Sequence, residues 1–359
     1  MNLCTPCLVR IGIATQSAAA YRGRPPSLVC PMRFARLLTS HLVRASRTAM
    51  WLLLVIGLTM HFTVRDGIDA IAFVFYILSM PVLLCLALLL GFGPQSGACS
   101  RRPAMIVALL VVVTWSTRSW RWHGVPPTAQ RQLNEVRVMF WNLSRPTKPF
   151  DDFVNLVKEF QPDVIGCTEP ADKGQRPDMA MWQQALPQYR AGPGYQEILW
   201  FTRTTPRHEK MGMLDSIGSF AHMEMDLAGQ VVPVVIADVW ASPWIPRTRQ
   251  LHEAVAQVAG RSNALLLGDF NTPGESVHFD GYRRDLTDAF EAGGRGLRET
   301  WFYGLPVLSI DHVWAGRDWQ VLNARKVWSL DSDHAALLVR LVPRTALTTG
   351  QSIHPGRGE

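Results

Sequence analysis

Apolar positions are distributed in two different ways along this chain. Residues 48–64, 70–92 and 103–117 are three nearly uncharged runs, whereas from Glu135 onward apolar residues alternate with polar ones or fall in short blocks. A helix needs about 20 apolar residues to cross a bilayer. The first run is barely long enough, the second is comfortable with Pro81 as a tolerated kink, and the third is short but has Trp115, Trp120 and Trp122 to seat its end at the interface. The expectation is therefore about three transmembrane helices ahead of a folded domain.

In the second part, Glu135-Val136-Arg137-Val138-Met139-Phe140-Trp141-Asn142 carries the alternation of a strand. Further strands are expected at 163–168, 197–202, 219–227, 231–241, 263–268, 309–314, 319–327 and 335–342. Helical spacing marks 150–160, 246–260 (through Leu251, Val255 and Val258) and 284–292. Many strands interrupted by few helices predict an α/β fold of two packed sheets with helices outside. The chain divides into residues 1–31, a disordered or mis-assigned start, with Met32 opening a more natural terminus; a membrane anchor, 32–117; a linker, 118–134, with Pro126 and Pro127; a folded domain, 135–343; and a disordered tail, 344–359.

Charge follows this division. Residues 1–134 hold 13 basic and 2 acidic side chains, a net of +11, while residues 135–343 hold 21 basic and 26 acidic ones, a net of −5. A protein that binds long duplexes nonspecifically needs cationic surface, so the acidic domain argues against that role. Arg33, Arg36, Arg44 and Arg47 precede the first apolar run, and Arg101 and Arg102 separate the second from the third. The positive-inside rule places those segments in the cytoplasm, and three crossings put the domain on the extracytoplasmic side of the cytoplasmic membrane. The membrane runs hold no buried charge and no paired broken helices, which argues against a channel or transporter. Of the six cysteines only Cys167 lies in the domain, so it has no internal disulfide. Cys4-x-x-Cys7 has no second pair to complete a zinc site.

The chemistry gathers at strand ends. Gly268-Asp269-Phe270-Asn271 follows the buried Leu265-Leu266-Leu267, and alternation puts Asp269 and Asn271 on one side, a carboxylate to activate water and an amide to donate to a phosphate oxygen. Glu169 emerges after Asp163-Val164-Ile165-Gly166-Cys167-Thr168, placed to bind a hard cation such as Mg²⁺ through oxygen. Ser309-Ile310-Asp311-His312-Val313 and Asp331-Ser332-Asp333-His334 supply an Asp and an Asp-His pair, with His312 facing away from Asp311 by strand alternation.

These segments, with Phe140-Trp141-Asn142 and in this order, resemble the endonuclease/exonuclease/phosphatase superfamily. The resemblance covers residues 135–342 and implies a four-layer α/β sandwich with its site at one mouth. It makes Glu169 the principal metal ligand, with Asp333 helping and Asn142 beside them contacting metal-bound water or phosphate. It gives Asp269, Asn271, His334, Asp311 and Asn142 catalytic roles, Asp311 orienting His334, and leaves open whether Asp269 or His334 is the base. In Val239-Trp240-Ala241-Ser242-Pro243, Trp240 stands where the family carries a histidine. The expected activity is a membrane-anchored phosphoester hydrolase using Mg²⁺ or Mn²⁺, acting on a phospholipid headgroup, a small phosphoester or nucleic acid. The alternative is a catalytically impaired relative that binds a phosphorylated ligand as a membrane receptor or scaffold.

Overall fold

The computed structural model describes residues 31–93, 98–122 and 131–344. The expected start segment, the Cys4/Cys7 pair, the prolines of the linker and nearly all of the tail lie outside them. The chain divides into two compact units, Met1–Thr48 and Ala49–Glu359. The described part of the first is the beginning of helix α1 (Pro31–Phe62). The second holds the rest of that helix, α2 (Ala72–Ile77), α3 (Met80–Phe92), α4 (Ala98–Ser119) and the sheet domain.

Two six-stranded sheets form the domain. Its strands are β1 (Val136–Asn142), β2 (Val164–Thr168), β3 (Arg190–Pro193), β4 (Ile198–Thr202), β5 (His208–Leu214), β6 (Gly218–Leu227), β7 (Gln230–Asp238), β8 (Leu265–Asp269), β9 (Leu286–Asp288), β10 (Asp311–Gly316), β11 (Trp319–Val327) and β12 (Ala336–Pro343). One sheet runs β11–β12–β1–β2–β4–β3 and the other β9–β10–β8–β7–β6–β5. Each is antiparallel but for one pair, β1 with β2 and β7 with β8. Alternation decides the layers: Val138 and Phe140 enter the core between the sheets, joined by Ile236, Leu265 and Leu267. Met139 and Trp141 point the other way, against α5 (Asp151–Phe160) and Trp182 of α6 (Met179–Ala185). Val235, Leu266 and Trp314 do the same toward α7 (Thr248–Ala256). The result is helix, sheet, sheet, helix.

Three strands are not announced by the sequence, β3, β5 and β9, and each is a sheet edge. An edge strand shows one side to water and needs no apolar alternation; five of the seven residues of β5 are exposed. The helix expected at 284–292 is in fact β9 followed by the shorter α8 (Ala289–Gly293), because Asp288 caps that helix by accepting from Glu291 N.

The expectation of about three transmembrane helices is corrected. Among the described residues one helix, Thr39–Phe62, is long and apolar enough to cross a membrane. The second run is broken: Asp69–Ile77 and Met80–Phe92 qualify only as a pair bent by 59°. The third lies on α4, whose Arg101 and Arg102 leave an apolar stretch from Ala104 to Val113, roughly 15 Å at helical rise. The expected linker is partly structured: Arg118 and Ser119 end α4, and Trp120–Arg121 pairs antiparallel with Gly296–Leu297.

Candidate active site

The ends of β1, β8 and β10 meet at one mouth of the sandwich. Asp269, the last residue of β8, is in register with Asp311 at the start of β10 and with Asp238 at the end of β7. The close approach is allowed by Gly268, where a Cβ would sit 2.1 Å from the Ala237 carbonyl oxygen. The two sheets are tied together here by Asn142, whose Nδ2 donates to Asp269 Oδ2 at 2.9 Å. His334 enters from the turn before β12. Its Nδ1 bonds Asp311 Oδ2 at 2.8 Å, and its Nε2 lies 4.0 Å from Asp269 Oδ2 and 3.9 Å from Asp333 Oδ1.

Glu169 follows β2 in a left-handed conformation, with φ of 52°. Its Oε2 pairs with Arg145 Nη1 at 2.6 Å, and the same guanidinium donates to Glu197 at 2.8 Å. Asp333 accepts from Trp301 Nε1 at 2.9 Å and from the Ser144 hydroxyl. Asn271 is placed by a turn, not by strand alternation: the strand stops at Asp269, φ of Asn271 is 48°, and its Nδ2 donates to the Val239 carbonyl at 2.8 Å. Its backbone N–H donates to Asp269 Oδ1 at 2.8 Å.

Glu169, Asp269, Asn271, Asp333, His334 and Arg145 line one cleft of about 520 Å³. Asn142 and Asp311, 1% and 3% exposed, stand behind it and act on it through Asp269 and His334. His312 points into the core, bonded to Asp288 at 2.8 Å and packed on Phe279, as strand alternation requires. Trp240 is at the rim, 37% exposed with the Lys173 ammonium 5.1 Å from its ring, and lines a neighbouring cleft instead.

Burial and the Asp311 charge push the Asp269 carboxyl up to about 7, against the pull of His334 and of the hydrogen bonds from Asn142 and Asn271. Burial would neutralise His334, but the charge and hydrogen bond of Asp311, then Asp269 and Asp333, raise it to about 10. Burial likewise raises Glu169, though the Arg145 and His334 charges oppose it. Burial and then Asp269 lift Asp238 well above the carboxylate range. Glu169 and Asp333 offer carboxylate oxygens to this cleft, donors of the hard kind that a divalent cation such as Mg²⁺ takes. Asp269, Asp311 and His334 bring ligand-type atoms within 4.8 Å of one another. With the imidazole Nδ1 committed to Asp311, Glu169 and Asp333 are the other carboxylates of the cleft that could hold a metal.

Sequence reasoning missed the second ring of this site. Arg145 and Trp301 lie in loops where no periodicity marks them, Arg145 standing three residues past Asn142, and Glu197 opens the strand expected at 197–202, one residue before the observed β4. It also missed Tyr76, Ile77, Ser79 and Val82, which form the cleft's apolar wall from the α2–α3 turn.

The sequence profile of the endonuclease/exonuclease/phosphatase family matches residues 139–334. No curated protein matches the chain significantly. Among solved structures, a family protein from Bacteroides thetaiotaomicron is similar over 58% of this chain and 97% of its own, at 16% identity and a TM-score of 0.45. A mannosyl-6-phosphatase from the same species covers 58% of this chain and 99% of its own at 17% identity, TM-score 0.46. The human Nocturnin catalytic domain, with bound sulfate, covers 59% and 96% at 14% identity, TM-score 0.47.

Proposed function

We propose, from the premise that this chain belongs to the endonuclease/exonuclease/phosphatase family, that it is a membrane-anchored phosphoester hydrolase dependent on Mg²⁺ or Mn²⁺. The observation that carries this reading is the buried Asp269–His334–Asp311 set opening onto the cleft that Glu169 and Asp333 share. A carboxylate with a proton affinity near neutrality is suited to general-base work, so Asp269 takes the proton of the attacking water. Asn142 and the Asn271 backbone N–H fix its two oxygens. Asp311 keeps His334 protonated and aimed, and the imidazolium Nε2–H faces the phosphate as a charged donor. Arg145 and the free amide hydrogen of Asn271 complete the electrostatic complement to a phosphoryl group. A divalent cation bound by Glu169 and Asp333 would supply neutralising charge to the phosphate and its leaving oxygen.

The test uses the full chain in detergent with bis(4-nitrophenyl) phosphate, 4-nitrophenyl phosphate and single-stranded DNA, with either metal or with chelator. Metal-dependent turnover is expected, and Asp269→Asn should lower kcat by about 10²–10⁴. A folded wild type that hydrolyses none of the three would leave a binding protein as the better reading. For location, we propose that the amino terminus is cytoplasmic and the domain extracytoplasmic. Arg44 and Arg47 precede the apolar part of α1, while the α1 exit and the end of α4 both meet the domain, through Arg65–Asp280 at 3.0 Å and Trp115–Glu299 at 2.7 Å. Leu330, 91% exposed, gives the check: a Leu330→Cys variant should react with an impermeant maleimide in right-side-out vesicles, and protection there would reverse the orientation.

A further inference from the structure

The apolar amino-terminal part of the chain does more than precede the domain. The α2–α3 turn, at the bend of the broken apolar pair, lies against the catalytic cleft, where Tyr76, Ile77, Ser79 and Val82 face Pro243 and Leu308. This wall is pinned at several points. Asp66 accepts from Ser276 Oγ at 2.6 Å, from Val277 N at 3.0 Å and from the Tyr76 hydroxyl at 3.2 Å. The Tyr76 ring lies 4.2 Å under the Arg247 guanidinium, which itself donates to the Ala241 and Asn271 carbonyls beside the site. Phe73 packs on Trp244 with centroids 4.5 Å apart, and His61 Nε2 bonds the Leu78 carbonyl at 2.9 Å.

Two features of this wall lack a structural purpose. Ile77 is 46% exposed although it faces a cleft. Ser79 is buried, 4% exposed, and its hydroxyl has no partner. An apolar side chain held half open and an unspent hydroxyl beside it are what a site offers a ligand with both an apolar and a polar part. Ile71 and Ile68, earlier in the same segment, are exposed as well. No charged residue occurs between Ala70 and Phe92, so the cleft's cations, Arg145, Arg247 and His334, all come from the sheet domain and the wall itself is apolar.

We infer that the membrane-side hairpin completes the active site and that the substrate is an amphiphilic phosphoester, its phosphate at Asp269 and His334 and its alkyl chain along Ile77 and Val82. This rests on the hydrolase reading above and narrows its substrate class to lipid-like esters. Ile77 and Val82 determine specificity for the chain, and Ser79 meets the polar group that joins chain to phosphate.

The test uses the full chain in amphipol, free of phospholipid, with ethyl, butyl, hexyl and octyl esters in two series, alkyl 4-nitrophenyl phosphates and alkyl monophosphates, below their self-association concentrations. In whichever series turns over, kcat/KM should climb with chain length, by roughly tenfold or more from ethyl to octyl for partly buried methylenes. Ile77→Ser and Val82→Ser should each bring the octyl-to-ethyl ratio down severalfold, and circular dichroism verifies that the helices persist. A wild-type ratio near one overturns the inference while leaving the hydrolase standing. So does a steep ratio untouched in the double variant. No turnover of any alkyl ester by metal-loaded wild type that still hydrolyses bis(4-nitrophenyl) phosphate or single-stranded DNA overturns this inference alone, and no turnover of any of them removes the hydrolase reading with it.

Discussion

Asp269 has to stay ionisable in a place that resists charge. It is 2% exposed, level with Asp311 across the strand pair, and survives because Asn142 and the Asn271 backbone each donate to it. Asp311 meets the same difficulty by pairing with His334, one of its oxygens having no partner at all. Asp311→Asn is therefore an informative change: the amide oxygen can still accept from Nδ1, but the charge that holds the imidazolium is gone. In the metal-free protein an NMR titration of the His334 ring should find it protonated through neutral pH in the wild type and deprotonating at distinctly lower pH in the variant. kcat should fall by about 10²–10⁴. An unchanged ring titration would mean that Asp311 is only a packing partner. Asp269, Asp311, His334 and Glu169 were legible in the sequence because each ends or borders an apolar strand, where a polar residue is conspicuous. Asn271 was legible in type but not in placement, since φ beyond the strand is not written in its alternation. Arg145 and Trp301 reach the site from loops and leave no local mark.

At the scale of elements, the central strands declared themselves and, of the four edge strands, only β11 did, because the other three carry little of the apolar alternation that marks a buried strand. β1 shows how a polar residue can start such a strand. Glu135, 3% exposed, accepts from Arg340 Nε and Nη2 at 2.9 and 2.6 Å, from Gln132 N at 3.0 Å and from Arg137 Nε at 2.7 Å. Burial works against its charge, but the Arg340 bond, then those of Gln132 and Arg137, prevail and hold its carboxyl down to about 2. The folded value lies below the unfolded one, near 4.5. The stabilisation is therefore fully present above that unfolded value and is lost as pH falls through about 2. It amounts to about 3 kcal/mol at neutral pH. Glu135→Gln should lower stability at pH 7 and flatten its decline between pH 5 and 2, seen by thermal melts across that range. Parallel curves for variant and wild type would place the acid sensitivity elsewhere.

For the whole molecule, the question is whether the apolar hairpin is a tether or part of the machine. A tether would be joined to the domain by a loose segment, yet the residues between α1 and α2 are bonded into the domain's own loops. Asp66 is fully buried, with its oxygens spent on Ser276, Val277 and Tyr76, and Thr248 Oγ1 donates to Asp69 at 2.6 Å. Asp66→Ala strands two domain donors in a dry place, at about 1–3 kcal/mol each. Neither donor belongs to the sheets, so the cost should appear as local opening of the hairpin and not as global unfolding. Limited proteolysis should then cut the 62–79 segment several times faster in Asp66→Ala than in the wild type, while the main thermal transition shifts little. If the hairpin walls the cleft, the same variant should lose preference for long-chain esters in step with its opening. Faster cutting with the preference intact would separate the two, leaving a docked anchor that takes no part in choosing the substrate.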